Sequence, residues 1–69
     1  MKSVSGRELA RFGESHGWQL LRIHSSYHVY GKSGSIVRLS IPIHGNKPLK
    51  IGLLKHLLKM AGFQEGDLE

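Results

Sequence analysis

The chain has 69 residues and no cysteine, so its core is small and neither a disulfide framework nor a thiolate zinc site can reinforce it. It has no run of ~18 apolar residues, as a membrane span needs, and residues 1–10 lack the apolar stretch of a signal peptide. We therefore expect a soluble, cytoplasmic protein with a single domain over residues 1–69. Ten basic residues stand against five acidic ones, three of which lie in the last five positions, and this excess suits RNA or DNA as well as a generic basic surface.

The first predicted element is a helix over residues 6–16. Ser5 and Glu8 have the spacing of a capping box, in which the hydroxyl accepts from a first-turn amide and the carboxylate reaches back to the cap. A modest apolar stripe follows, and Gly17 is a suitable left-handed stop.

Three segments with a two-residue period come next, and they predict three antiparallel strands in a meander. The segments are Trp18–Ile23, Tyr27–Gly31 and Ile36–Ile41. Each is rich in aromatic or β-branched residues, and short runs of Ser, Lys and Gly separate them.

Alternation along these strands predicts one apolar and one polar face. The residues expected on the apolar face are Tyr27, Val29, Val37, Leu39 and Ile41. Those expected on the polar, cationic face are Ser26, His28, Tyr30, Lys32, Arg38 and Ser40.

Residues 42–48 are predicted to form a loop, since two prolines and a Gly-Asn pair interrupt both regular periods. A second helix is predicted over residues 49–61, where leucines recur at three- and four-residue spacing and lysines occupy the opposite side. This leucine stripe must cover the apolar face of the sheet. We therefore predict an α+β fold of order α-β-β-β-α, with both helices on one face of a three-stranded antiparallel sheet.

The histidines raise the question of catalysis or metal binding. No carboxylate is close in sequence to His24 or His28, and residues four apart on a continuous strand are separated by about 13 Å, so neither a hydrolase triad nor a metal site is expected. RNA cleavage demands less, because a ribose 2′-hydroxyl attacks its neighbouring phosphate once a base takes the proton and cations neutralise the charge. His28 with nearby Lys and Arg meets that minimum without a cofactor, although most histidines on solvated strands have no catalytic role.

Two lysines have a further reason to bind phosphate. Lys47 and Lys50 bracket the start of the second helix, where the helix dipole favours an anion. Ser26, Tyr30, Lys32 and Arg38 are candidates for RNA contacts from the polar face, and each is equally an ordinary solvated sheet residue.

Several segments together resemble the HicA family of toxin-antitoxin mRNA interferases, also called YcfA-like. The segments are Gly17-Trp18, Arg22, Ser25–Tyr30, Ser40–Pro42, His44–Lys50 and Leu57–Phe63. Each is weak alone, but their order and spacing in so short a chain make the set specific.

The resemblance implies a double-stranded-RNA-binding-domain-like fold and cleavage of mRNA that halts translation. It implies that His28 is catalytic, because Ser26-Tyr27-His28 fits the last three positions of the family's Gly-Ser-x-His pattern. It also implies a HicB antitoxin that covers the active surface of the toxin, which we expect to be monomeric when alone.

This sequence departs from the family pattern at Ser25, where glycine is usual. If that position needs a positive φ or a close approach of RNA, serine lowers activity rather than preventing folding. Two other functions stay open at this level: a noncatalytic RNA-binding module that uses the same surface, and a small adaptor whose open sheet face meets only a protein partner.

Overall fold

The computed structural model describes residues 3–68, which form a three-stranded antiparallel sheet with neighbouring strands in chain order and two principal helices. The elements are α1 (Gly6–Glu14), β1 (Trp18–His24), β2 (Tyr27–Lys32), β3 (Arg38–Pro42), α2 (Ile51–Ala61) and a short 3-10 helix (Glu65–Leu68). The predicted α-β-β-β-α order is confirmed, and the open sheet agrees with an α+β fold like that of double-stranded-RNA-binding domains.

The core lies between one face of the sheet and both helices. Its buried apolar side chains are Val4, Leu9, Ala10, Trp18, Tyr30, Leu39, Ile41, Leu54, Leu57 and Leu58. Residues of α1 and α2 share this single cluster with residues of every strand, so both helices cover the same face, as predicted.

The predicted faces of β3 are confirmed, but those of β2 are wrong. Tyr30 lies opposite Leu39 and His28 lies opposite Ile41, so both point to the helix side. Tyr30 is 4% exposed, whereas Tyr27, predicted to be in the core, is 46% exposed. Directly opposed residues of antiparallel strands share a face, so the pairing of Tyr30 with buried Leu39 fixes which side chains of β2 enter the core.

β3 and α2 each begin two residues later than predicted, because local hydrogen bonds hold the preceding residues in other conformations. β3 begins at residue 38, since the Ser35 hydroxyl accepts from the Val37 amide at 3.1 Å and Ile36 stands 96% exposed in the preceding loop. α2 begins at residue 51, because the Leu49 amide donates to the Val4 carbonyl at 2.8 Å and keeps that segment extended. The start of α2 is thereby held beside the start of α1.

The capping box at the start of α1 is confirmed. The Glu8 amide donates to the Ser5 hydroxyl at 3.1 Å, and the Ser5 amide donates to the Glu8 carboxylate at 2.9 Å. Gly6 follows the cap at a point where α1 meets the end of β3, and a Cβ there would overlap the Pro42 carbonyl oxygen. Only glycine allows this approach.

None of the helices in residues 3–68 combines the length and the apolar character that crossing a bilayer requires.

Replacing Gly6 by alanine is expected to lower the free energy of unfolding by about 2 kcal/mol, because the new methyl group meets a backbone carbonyl that moves only with β3. Gly52→Ala is the matched control, since no atom lies within 4 Å of a Cβ built at Gly52 in α2. Alanine there should stabilise the helix by about 0.5–1 kcal/mol. Chemical denaturation measures both variants, and equal stability of the two would contradict the close contact at Gly6.

Candidate functional site

The turn between β1 and β2 is strained. His24 pairs with Tyr27 across a two-residue turn, and its first residue, Ser25, has a φ of 57°. Among residues 3–68 every other residue with a positive φ is a glycine. A left-handed conformation costs a non-glycine residue roughly 1–2 kcal/mol. The positive φ that the sequence comparison raised for this position is therefore present, and Ser25 adopts it at that energetic cost.

A cleft opens where this turn approaches the start of α2. We call it the α2 cleft; its volume is about 360 Å³ and it is lined by Tyr27, Pro42, His44, Lys47, Pro48, Leu49, Lys50 and Leu53. Two of the predicted phosphate-binding residues, Lys47 and Lys50, are thus brought together on one wall.

Two hydrogen bonds hold the loop of the α2 cleft in place. The Ile43 amide donates to the Ser26 carbonyl at 2.8 Å, which extends the pairing of β2 and β3 into the turn. The Lys47 amide donates to the His44 carbonyl at 3.1 Å, with Gly45 between them at a φ of 60°. This tight turn carries His44 and Lys47 to the same cleft.

The first turn of α2 adds to the positive potential of the cleft. Lys50 is the N-cap residue, its side chain makes no capping hydrogen bond, and the first turn contains no acidic residue. The amides of that turn therefore have neither a capping side chain nor a neighbouring carboxylate, and the helix dipole favours an anion at this end.

A second cleft lies on the open face of the sheet. We call it the sheet cleft; its volume is about 550 Å³ and it is lined by Arg22, Ile23, His24, Tyr27, Val29 and Ser40. Tyr27 lines both clefts, so its ring stands at their common boundary.

A third cleft, about 790 Å³ in volume, runs along α1. Its walls carry Glu8 and Asp67 as well as Arg7 and Arg11. Mixed charge suits a polyanion less well than the α2 cleft, whose lining includes two lysines and no carboxylate.

His28 lines none of these three clefts. It is half-buried on the helix side of β2, with Ile23 and Ile41 as its neighbours on the adjacent strands. Ile23 is 57% exposed, so the helices leave this end of the face open and the imidazole is accessible from solvent.

Lys32 and Arg38 lie at the other end of the strands: Lys32 is about 17 Å from Tyr27 along β2, and Arg38 lies opposite Gly31, about 13 Å from Tyr27. The Lys32 ammonium is 5.9 Å from the centroid of the Trp18 ring. The Arg38 guanidinium donates to the carbonyl oxygens of Ser35 and Val37. Both cations are exposed, but the fold does not bring them to the α2 cleft.

Tyr30 is a core residue rather than a surface residue. Its hydroxyl donates to the Glu14 carboxylate at 2.9 Å, which ties the end of α1 to β2. Burial, followed by this hydrogen bond and the negative charge of Glu14, raises the pKa of Tyr30 to about 12. The prediction that Tyr30 faces RNA from an exposed sheet face is therefore wrong.

Sequence reasoning missed Tyr27 and His44 as site residues. Strand alternation predicts that Tyr27 is in the core, and the sequence pattern indicates only a loop at His44. The signal for His44 was its position three residues before Lys47 in a loop between two prolines, which confines it to the entry of α2.

Comparison with protein families identifies the group to which this α+β chain belongs. The model of the family described as HicA toxin of bacterial toxin-antitoxin matches residues 6–63, well over half of the chain. The protein therefore belongs to the HicA toxin family and is a toxin of a toxin-antitoxin system, which confirms the resemblance noted in the sequence. No curated protein matches the chain.

Within residues 3–68, no three His, Asp or Glu side chains form a group that could hold a metal ion.

Ser25→Gly is expected to raise the free energy of unfolding by about 0.5–1 kcal/mol, since it removes the left-handed penalty at the cost of a more flexible unfolded chain. Ser26→Gly in the same turn is the control, because Ser26 has no positive φ and glycine there adds only the entropic cost. Thermal denaturation should show opposite signs for the two variants, and a loss of stability in both would contradict the strain at Ser25.

The Tyr30 hydroxyl makes stability depend on alkaline pH. A pKa higher in the folded than in the unfolded state means that the stabilisation is complete below about pH 10 and is lost as the pH rises toward 12. Denaturant titrations between pH 9 and pH 12 should therefore show a falling free energy of unfolding. Tyr30→Phe should flatten that fall, and an unchanged slope in the variant would rule out Tyr30 as its source.

Proposed function

We propose that this toxin is a metal-independent endoribonuclease that cleaves mRNA in the cytoplasm, with His28 transferring the proton and Lys47 and Lys50 binding phosphates. The observation that carries the proposal is the α2 cleft, which places two lysines and a helix start beside the strand that bears His28. Membership of the toxin family supports the same activity.

The reaction needs few groups. His28 takes the proton from a ribose 2′-hydroxyl, the 2′-oxygen forms a bond to the neighbouring phosphorus, and the bond from phosphorus to the 5′-oxygen breaks. The leaving 5′-oxygen takes up a proton from water, His28 releases the proton it has taken to the solvent, and the products are a 2′,3′-cyclic phosphate end and a 5′-hydroxyl end. Lys47 and Lys50 stabilise the negative charge that grows on the phosphoryl oxygens. DNA lacks the 2′-hydroxyl and is not cut by this route.

The other predicted contacts divide by position. Ser26 lies in the turn two residues before His28 and is half-buried, and it remains a proposed RNA contact near the reacting phosphate. Lys32 and Arg38 are retained as contacts to a more distant part of the RNA backbone, since they lie at the far end of the sheet. Tyr30 is not retained, because its ring is in the core.

A HicB-like antitoxin is the proposed protein partner, and the toxin alone is proposed to be monomeric. β1 is an edge strand with three exposed apolar side chains, Leu20, Leu21 and Ile23, and such an edge offers both backbone pairing and apolar contact. An antitoxin seated there would lie next to the sheet cleft and restrict the approach of RNA.

A noncatalytic RNA-binding module is the second candidate. The observation in its favour is that His28 lines neither the α2 cleft nor the sheet cleft, together with the strained serine where the family usually has glycine. Such a module would use the same basic side chains as the ribonuclease, so a measurement of RNA binding alone does not distinguish the two candidate functions.

Replacing His28 by alanine is expected to lower the rate of RNA cleavage by about 10²- to 10⁴-fold, the usual contribution of a proton-transfer group. Labelled RNA, chelator and purified protein suffice for the measurement. His56→Ala is the control and should retain most of the activity, because His56 is exposed on α2 and lines none of the three clefts.

Cleavage at the wild-type rate by the His28→Ala variant would exclude the catalytic role. Salt-dependent binding with no fragments from the wild-type protein would favour the noncatalytic module, because phosphate contacts weaken as counterions compete.

A further inference from the structure

We propose that Tyr27 is a base-stacking residue that holds an unpaired nucleotide at the boundary of the two clefts and so helps to select the site of cleavage. The inference rests on the proposed RNA cleavage and adds to it a contact to the base, where the proposal above has only contacts to phosphate.

The position of Tyr27 is the first reason. Tyr27 lines both the sheet cleft and the α2 cleft, and the residue is 46% exposed. A half-exposed aromatic residue that borders two clefts is available to stack against a planar ligand.

The charges on either side are the second reason. Arg22 lines the sheet cleft, and Lys47 and Lys50 line the α2 cleft. Among residues 3–68 no carboxylate lines either cleft. A cationic groove that follows the backbone, with an aromatic ring on which a base stacks, is the arrangement by which proteins bind single-stranded nucleic acid.

The rigidity of the ring's attachment is the third reason. Tyr27 pairs with His24 on β1 and with Pro42 on β3, so its backbone is held from both sides immediately after a two-residue turn. A ring on a fixed backbone loses little conformational freedom when a base stacks on it, which favours binding.

The same geometry requires an unpaired base. Bases in an A-form duplex stack on one another and present only their edges, so a ring on the protein surface has no base face to contact. The fold resembles that of double-stranded-RNA-binding domains, but this surface fits a single strand. His28 follows Tyr27 on β2 but points to the opposite face of the sheet, the face that carries α2. Tyr27 and Leu53 of α2 both line the α2 cleft, so an RNA strand that continues from the stacked base along this cleft approaches the side of the sheet on which His28 lies.

Binding of an uncleavable RNA tests the proposal apart from catalysis. The probe is a labelled single strand of about 12 nucleotides with every 2′-hydroxyl methylated, together with a series in which one base at a time is removed. Tyr27→Leu should weaken binding about 5- to 100-fold, the range for loss of one base-stacking contact, whereas Tyr27→Phe should stay within about twofold of the wild type. The base-deletion series should show one sensitive position for the wild-type protein and none for Tyr27→Leu.

Unchanged binding by Tyr27→Leu, a flat base-deletion series for the wild type, or equally tight binding of a duplex of the same length would overturn the proposal. The unfolding midpoints of both variants show whether the fold is kept, and the base-deletion series on the wild type does not depend on them. Cleavage assays with His28→Ala distinguish a failure of base stacking from a failure of the proposed ribonuclease activity. Cleavage that depends on His28 but not on Tyr27 overturns only the stacking role of Tyr27. Base-dependent binding without any cleavage overturns only the ribonuclease activity.

Discussion

The register of β2 between its two neighbours is the constraint on which the site depends. Tyr30 lies opposite Leu39 inside the core, and its hydroxyl reaches Glu14 at the end of α1. Because side chains alternate along a strand, a slip of one residue would exchange the two faces and move Tyr27 into the core. The buried tyrosine therefore keeps Tyr27 at the mouth of the clefts and His28 on the helix side.

The lysines of the α2 cleft depend on a second set of contacts at the other edge of the sheet. An isolated bridge joins Ser5 to Pro48, and the Leu49 amide donates to the Val4 carbonyl at 2.8 Å. These contacts fix the start of α2 against the start of α1, where Gly6 closes on the carbonyl of Pro42. The position of Lys50 at the α2 cleft thus relies on packing between the N-terminal segment and the loop before α2.

Most of the fold was predictable because its signals are local. The capping box at Ser5 and Glu8, the leucine spacing of α2 and the left-handed Gly62, with a φ of 79°, each act within a few residues. The faces of β2 were not predictable from the sequence, since each face of the strand carries one tyrosine, Tyr27 or Tyr30. Contacts of Tyr30 with Glu14 and Leu39, which are distant in the sequence, determine that Tyr30 is the buried one. For the same reason the cleft that joins Tyr27 to His44 was missed, whereas the pair Lys47 and Lys50 was found from its position at the helix start.

The central claim is that the toxin cuts RNA by way of the 2′-hydroxyl without a metal ion. The most direct measurement is digestion of a defined RNA in the presence of a chelator, with the ends of the fragments identified and with a matched RNA that carries a single 2′-deoxy substitution at the site of cleavage. We expect fragments with 2′,3′-cyclic phosphate ends and no cleavage of the substituted RNA. Cleavage that requires an added divalent metal ion, or that continues at the 2′-deoxy position, would contradict it.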